Sequence, residues 1–191
     1  MVLETTTITT VDDGVYDPAE TVIIDIASVS GGGATESGSQ QETVTITDDE
    51  GAPTVSLSVD NNTVSEGAGV GVRTVTVTLS NTASDNVTVG LSTSGTATGG
   101  GTDYTLNSNS LVISAGSTTA STTLDIVEDG LIEGTETIIL DISSVTNSIG
   151  ITENGVQTET INLTDNEAGP TVSLSSSSPI AENGGGSTVT A

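Results

Sequence analysis

Carboxylates are the side chains in this sequence that are both chemically capable and repeatedly grouped. Within residues 53–169 they stand as Glu66, as Asp103, as Glu128-Asp129 followed by Glu133 and Glu136, and as the closing Asp165-Asn166-Glu167. Such groups can do two kinds of chemistry. A protonated acid beside an ionised one can cleave a glycosidic bond. Several carboxylates joined by amide and main-chain oxygens can hold a hard divalent cation. The composition closes most other routes. There is no histidine and no cysteine, so a triad with a histidine base, thiol catalysis and disulfides are excluded, and the usual ligands of zinc, haem and iron–sulfur centres are missing. Arg73 is the single basic side chain against 26 acids, a net charge of −25, so the counterion release that drives nucleic-acid binding has no source. Aromatic residues are two tyrosines, Tyr16 and Tyr104, which leaves no platform for a sugar; the chain is expected not to be an enzyme.

The elements that must position these acids are strands. Val, Ile and Leu alternate with Thr and Ser, the period of a half-buried pleated strand. Seven strands are expected in the best-defined stretch: 53–60, 71–80, 86–94, 108–114, 119–127, 136–145 and 156–164. In the second, Val75, Val77 and Leu79 share one face and Thr74, Thr76 and Thr78 the other, with Arg73 expected on a strand face. Glycine-bearing breaks such as 99–101 separate the strands, and nothing sustains a helical period. The fold class predicted is all-β, an immunoglobulin-like antiparallel β-sandwich of about seven strands. Without Phe or Trp the core is aliphatic and its stability modest.

The chain also repeats itself. Pro53-Thr54-Val55-Ser56-Leu57-Ser58 recurs as Pro170-Thr171-Val172-Ser173-Leu174-Ser175, an offset of 117, and ten of the 19 residues in 11–29 are identical to those in 127–145 at offset 116. A period of that length is a domain, and tandem domains form a bead-like array. The division expected is the C-terminal half of one repeat in 1–50, a complete repeat in 51–169 and the start of another in 170–191.

If consecutive strands reverse direction, alternate loops share a pole. One pole of the complete repeat then collects Glu66, Asp103, Glu128, Asp129, Glu133, Glu136, Asp165 and Glu167, eight of fourteen acids; the other has Asp85 and Glu153. Packed carboxylates repel and raise one another's pKa. A solvated acidic rim that serves solubility is the plain reading; the clustering favours an ion. Calcium fits best, because it takes six to eight oxygens in flexible geometry, and these acids with Asn166 supply enough for more than one ion.

At these residues the sequence resembles the Calx-beta family. The resemblance rests on Val64-Ser65-Glu66-Gly67, on Gly95-Thr96-Ala97 through Asp103-Tyr104, on Val127-Glu128-Asp129-Gly130-Leu131-Ile132-Glu133-Gly134-Thr135-Glu136, and on Thr164-Asp165-Asn166-Glu167. It implies an immunoglobulin-like sandwich with calcium at one end, held by Glu66, Asp103, Glu128, Asp129, Glu133, Glu136, Asp165, Asn166 and Glu167. In the partial first repeat the corresponding acids are Asp12, Asp13, Asp17, Glu20, Asp48, Asp49 and Glu50, without the ligands of its first half. The turn reads Glu128-Asp129-Gly130 where the exchanger pattern is more uniformly Asp, and Asn166 replaces a carboxylate in the closing triplet; both imply fewer or weaker ions. The role expected is a calcium-binding structural or adhesive repeat of a larger extracellular or cell-surface protein. Its partners would be neighbouring repeats and a cell-surface or matrix ligand. The alternative is a calcium sensor regulating a membrane transporter or receptor. No signal peptide and no membrane-inserting segment is read in this stretch.

Overall fold

Alternating β-branched and hydroxyl residues make extended backbone, and among the described residues they make fourteen strands. The computed structural model describes residues 4–67, 71–176, 182 and 189–190. In the first part, β1 (Glu20–Asp25) and β2 (Gln41–Ile46) pair antiparallel, Glu20 opposite Ile46. The long middle part carries β3 (Thr54–Val59), β4 (Thr63–Ser65), β5 (Val72–Leu79), β6 (Val87–Gly95), β7 (Tyr104–Leu106), β8 (Ser110–Ile113), β9 (Thr119–Ile126), β10 (Glu136–Thr146), β11 (Thr152–Glu153) and β12 (Thr158–Thr164). At the end, β13 (Ser175–Ser176) pairs with β14 (Val189–Thr190); the rest of the stretch 177–191, Glu182 apart, lies outside the described residues. Among the described residues no helix is long and apolar enough to cross a membrane.

The middle part is a sandwich of two five-stranded sheets, ordered β4-β12-β10-β6-β8 and β11-β3-β5-β9-β7. All seven expected strands are present. The three additional ones, β4, β7 and β11, are two or three residues long, too short for alternation to register. Two of them break the expected antiparallel rule: β4 pairs parallel to β12, and β11 parallel to β3. For β4 the reason lies at Asn61. Its side-chain oxygen accepts the Thr63 N–H at 3.1 Å, turning the chain out of one sheet and into the other. That switch matters for the site, because it sets Ser65 beside Thr164, so that Glu66 follows one strand where Asp165 follows the other.

The inward positions form one aliphatic core. Val55, Val75, Val77, Leu124, Ile138, Leu140, Ile161 and Leu163 are completely shielded, and Tyr104 is the core's one buried aromatic. Each such Leu or Ile contributes ~1.5–3 kcal/mol by leaving water. The core therefore holds the sandwich without help from charge, and the strand ends can carry repelling groups.

Candidate metal centre

Four chain segments meet beyond the ends of β4, β6, β9 and β12. Gly95 ends β6 with φ of 119°, a backbone conformation in which a Cβ would sit 2.1 Å from the Thr137 carbonyl oxygen. With glycine there, the Thr96 and Ala97 N–H groups both donate to that carbonyl, at 3.0 and 3.1 Å. The following loop folds over so that Thr98 N–H donates to Asp103 Oδ2 at 2.5 Å, and the Asp103 carbonyl accepts from Val127 at 2.8 Å. Asp103 is thereby fixed above Glu136, at the start of β10.

Asp165 organises the other side. One of its oxygens accepts the Glu133 and Gly134 N–H groups at 2.9 and 3.2 Å; the other accepts the Glu167 N–H at 2.9 Å. Asp129 caps its own turn by accepting the Leu131 N–H at 2.7 Å. Local hydrogen bonds alone thus shape the 128–135 loop around Asp165.

The result is three overlapping carboxylate groups: Glu66 with Asp165 and Glu167; Glu66 with Glu133 and Glu136; Asp103 with Asp129 and Glu133. Within each, one oxygen per residue lies within 4.8 Å of the others, the span across an ion with ligands at about 2.4 Å. Glu66 and Glu133 each belong to two groups, so they would bridge neighbouring ions. Of the nine residues singled out by sequence, seven meet here. Glu128 is exposed and outside the groups, and Asn166 is exposed, its amide set against the Glu167 carboxylate so that hydrogen bonding assigns the nitrogen to that side.

The electrostatics are those of a site built for positive charge. Glu66 is 3% exposed, and one of its oxygens has no hydrogen-bond partner; one oxygen of Glu136 is likewise buried and unpaired. Burial, then the charges of Asp165, Glu133, Asp129 and Asp103, push the Glu66 carboxyl up to about 7. Burial and the Asp103 charge also raise Glu133 and Glu136, while a hydrogen bond with Asp165 raises Glu167. Asp165 goes the other way, held below the ordinary carboxylate range by the N–H donors around it. An orphaned buried carboxylate oxygen amid like charges costs free energy unless a cation meets it. The donors are all oxygens, which suits calcium rather than a transition metal.

The first part carries a second, more open arrangement. Asp12, Asp13, Asp17, Glu20, Asp48, Asp49 and Glu50 all line one cleft of about 340 Å³, and Asp12, Asp49 and Glu50 bring oxygens within 4.8 Å of one another. The local geometry copies that of the sandwich. Asp13 Oδ1 accepts the Val15 N–H at 3.0 Å as Asp129 does for Leu131, and Asp48 Oδ2 accepts the Asp17 N–H at 2.8 Å as Asp165 does for Glu133. A hydrogen bond with Asp48 raises Glu50, as Asp165 raises Glu167.

Reading the sequence for acids passed over an apolar pair inside each acidic turn, Val15-Tyr16 and Leu131-Ile132. The signal was available: two apolar residues at the same place in both copies of an otherwise acidic loop.

Among solved structures, the chain is similar to CBD12 from CALX1.2, with 19% identity over 59% of this chain and 44% of that one and a TM-score of 0.47. It is also similar to the apo-form Calx CBD1 domain, with 17% identity over 59% of this chain and 98% of that one and a TM-score of 0.47. This chain thus spans less than half the length of the CBD12 structure. No curated protein matches it. The Calx-beta domain profile matches residues 2–50 and again residues 48–167, so the chain belongs to the Calx-beta domain family.

Proposed function

We propose that this chain is a calcium-binding structural and adhesive segment of a larger extracellular or cell-surface protein. Residues 1–50, 51–169 and 170–191 are the end, the whole and the beginning of successive repeats. Calcium binds at the pole formed by Glu66, Asp103, Asp129, Glu133, Glu136, Asp165 and Glu167. The observation that carries this reading is Glu66: shielded from water, one oxygen unpaired, in reach of two other carboxylate groups and pushed towards neutrality. A solvated rim has no reason to bury one of its acids. The ion replaces repulsion among four loops with shared coordination and so stiffens the pole. Tandem repetition and a surface rich in Thr and Ser favour a structural role over sensing, and extracellular calcium makes an affinity as weak as ~10⁻⁴–10⁻³ M sufficient.

Isothermal titration of the metal-free chain with calcium, paired with thermal unfolding, tests this. Saturable binding with a rise in Tm is expected. A micromolar dissociation constant would transfer the function to a regulatory sensor. No heat and no change in Tm up to ~10 mM calcium, above the range of extracellular modules, would remove the ion.

A further inference from the structure

The acidic turn of the first part does more than face its cleft. Both residues of its apolar pair, Val15-Tyr16, are half-buried, and Tyr16 packs against the opposite pole of the sandwich. The Tyr16 N–H donates to the Thr82 carbonyl at 3.0 Å, and the Ser84 N–H donates to the Tyr16 carbonyl at 3.1 Å, so that Tyr16 pairs with Ala83 in a short parallel bridge. The Thr82 hydroxyl donates to the Gly14 carbonyl at 3.2 Å. The tyrosine hydroxyl reaches the Ile149 carbonyl at 3.1 Å, and both side chains pack on the edge of the core beside the buried Ala83. Tyr16 is thus a plug, and the 81–84 and 149 loops are its socket.

The sandwich has the same turn. Ile132 stands at offset 116 from Tyr16, Leu131 likewise from Val15, and the turn is held in the same shape by the equivalent aspartates. Yet Leu131 is 60% and Ile132 54% exposed. Among the described residues, the Ile132 main chain has no hydrogen-bond partner. Two neighbouring apolar side chains at the tip of a highly charged loop gain nothing from water, and Tyr16, the copy of Ile132, shows what covers the second of them.

We propose that Ile132 is a docking plug for the socket pole of a further copy of the repeat, seated as Tyr16 is seated on Thr82–Ser84. The occupant is fixed by that precedent: a loop carrying the equivalents of Thr82, Ala83 and Ser84, whose main chain closes a two-bond parallel bridge with Ile132. Isoleucine lacks the hydroxyl that Tyr16 extends to Ile149, so this junction rests on main-chain bonds and apolar contact. The proposal does not depend on a bound ion.

The test extends the chain from Ser175 with a second copy of residues 59–169. The join is seamless because 170–175 repeats 53–58. Residue-resolved amide exchange is measured by NMR on the original and extended chains in the same calcium buffer. In both, the Tyr16 amide is protected by its bond to Thr82. The Ile132 amide is expected to slow by roughly tenfold or more on extension, and Ile132→Asp in the extended chain should restore fast exchange. That residue is more than half exposed, so the substitution leaves the core intact. An unchanged Ile132 rate on extension, or protection that survives Ile132→Asp, overturns the proposal.

Discussion

Replacing Glu66 by glutamine should stabilise the metal-free protein and reduce what calcium adds to it. The two states differ because the same carboxylate is a liability in one and a bridge in the other. A carboxyl held at about 7 in the fold, against 4.5 ordinarily, binds more protons folded than unfolded across that interval. Stability therefore falls as pH rises from 4.5 towards 7, and above that the ionised group costs about 3 kcal/mol. Glutamine keeps the shape and removes the charge, and its amide can donate to neighbouring carboxylates. It remains a buried polar group with imperfect pairing, a cost of about 1 kcal/mol or more. The net gain at pH 8 in chelator should be about 1–2 kcal/mol, or roughly 2–8 °C in Tm for a chain of this size. At pH 5 the parent is largely protonated at this position, about 2.5 kcal/mol of that cost is gone, and the variant should become the less stable of the two by about 0.5–1.5 kcal/mol.

Saturating calcium should erase that advantage, and reverse it where the loss of affinity exceeds about thirtyfold. Glu66 belongs to two of the three carboxylate groups of the pole. Losing a charged ligand should weaken binding by about tenfold or more, which removes ~1.4 kcal/mol of linked stabilisation at a given calcium concentration. Thermal unfolding of parent and Glu66→Gln, each in chelator and in calcium at pH 5 and pH 8, gives all the comparisons. A variant that is no more stable than the parent in chelator at pH 8, or that gains as much from calcium as the parent does, refutes the reasoning.

Other consequences follow from the same geometry. Without metal, stability should peak around pH 4–5: above it the raised Glu66, Glu133, Glu136 and Glu167 ionise at a cost, and below 3.8 the depressed Asp165 loses the contribution of its N–H donors. Chemical denaturation across pH would show a monotonic profile if the cluster did not act this way. Glu128→Gln should leave calcium affinity within about twofold, while Glu133→Gln should reduce it by about tenfold or more, since one side chain is exposed outside the groups and the other belongs to two of them; equal effects in titration calorimetry would show that the groups do not define the site. Gly95→Ala should destabilise by at least about 2 kcal/mol, from a disfavoured φ and a Cβ driven into the Thr137 carbonyl; a denaturation midpoint equal to the parent's would mean that the loop relaxes freely.

Strand alternation made much of this legible, because Val75, Val77 and Leu79 on one face and threonines on the other leave a pleated strand one way to lie. It also gave the parity of the loops, which gathers acids from four distant stretches at one pole. Short elements were hidden. Thr63–Ser65 is three residues, and its parallel pairing with β12 depends on a sheet switch at Asn61 that has no periodic signature. Within the site, sequence could not rank the acids. Glu128 and Asp129 are adjacent, yet a turn capped by Asp129 directs one to solvent and the other to the cluster. Nor does composition reveal that Asp165 is a scaffold whose oxygens already hold three N–H groups.

The segregation of charge also bears on which poles can touch. Two carboxylate-rich poles cannot pack against each other without a dense layer of cations between them. The contact seen here instead sets the acidic turn at Asp12–Asp17 against the acid-poor pole. Asp85 is the acid beside that contact, and its charge is drawn inward: it accepts hydrogen bonds from the Ser148 hydroxyl and the Asn86 N–H, which hold it below its ordinary range. A negative loop therefore meets a surface whose nearby carboxylate is already well solvated by protein donors. Contact between unlike poles is heterologous, and when repeated it makes an open line rather than a closed pair. The bias of eight acids against two thus does two physical jobs: it concentrates ligands at one end of a sandwich, and it leaves the other end free of the repulsion that would keep a neighbour away.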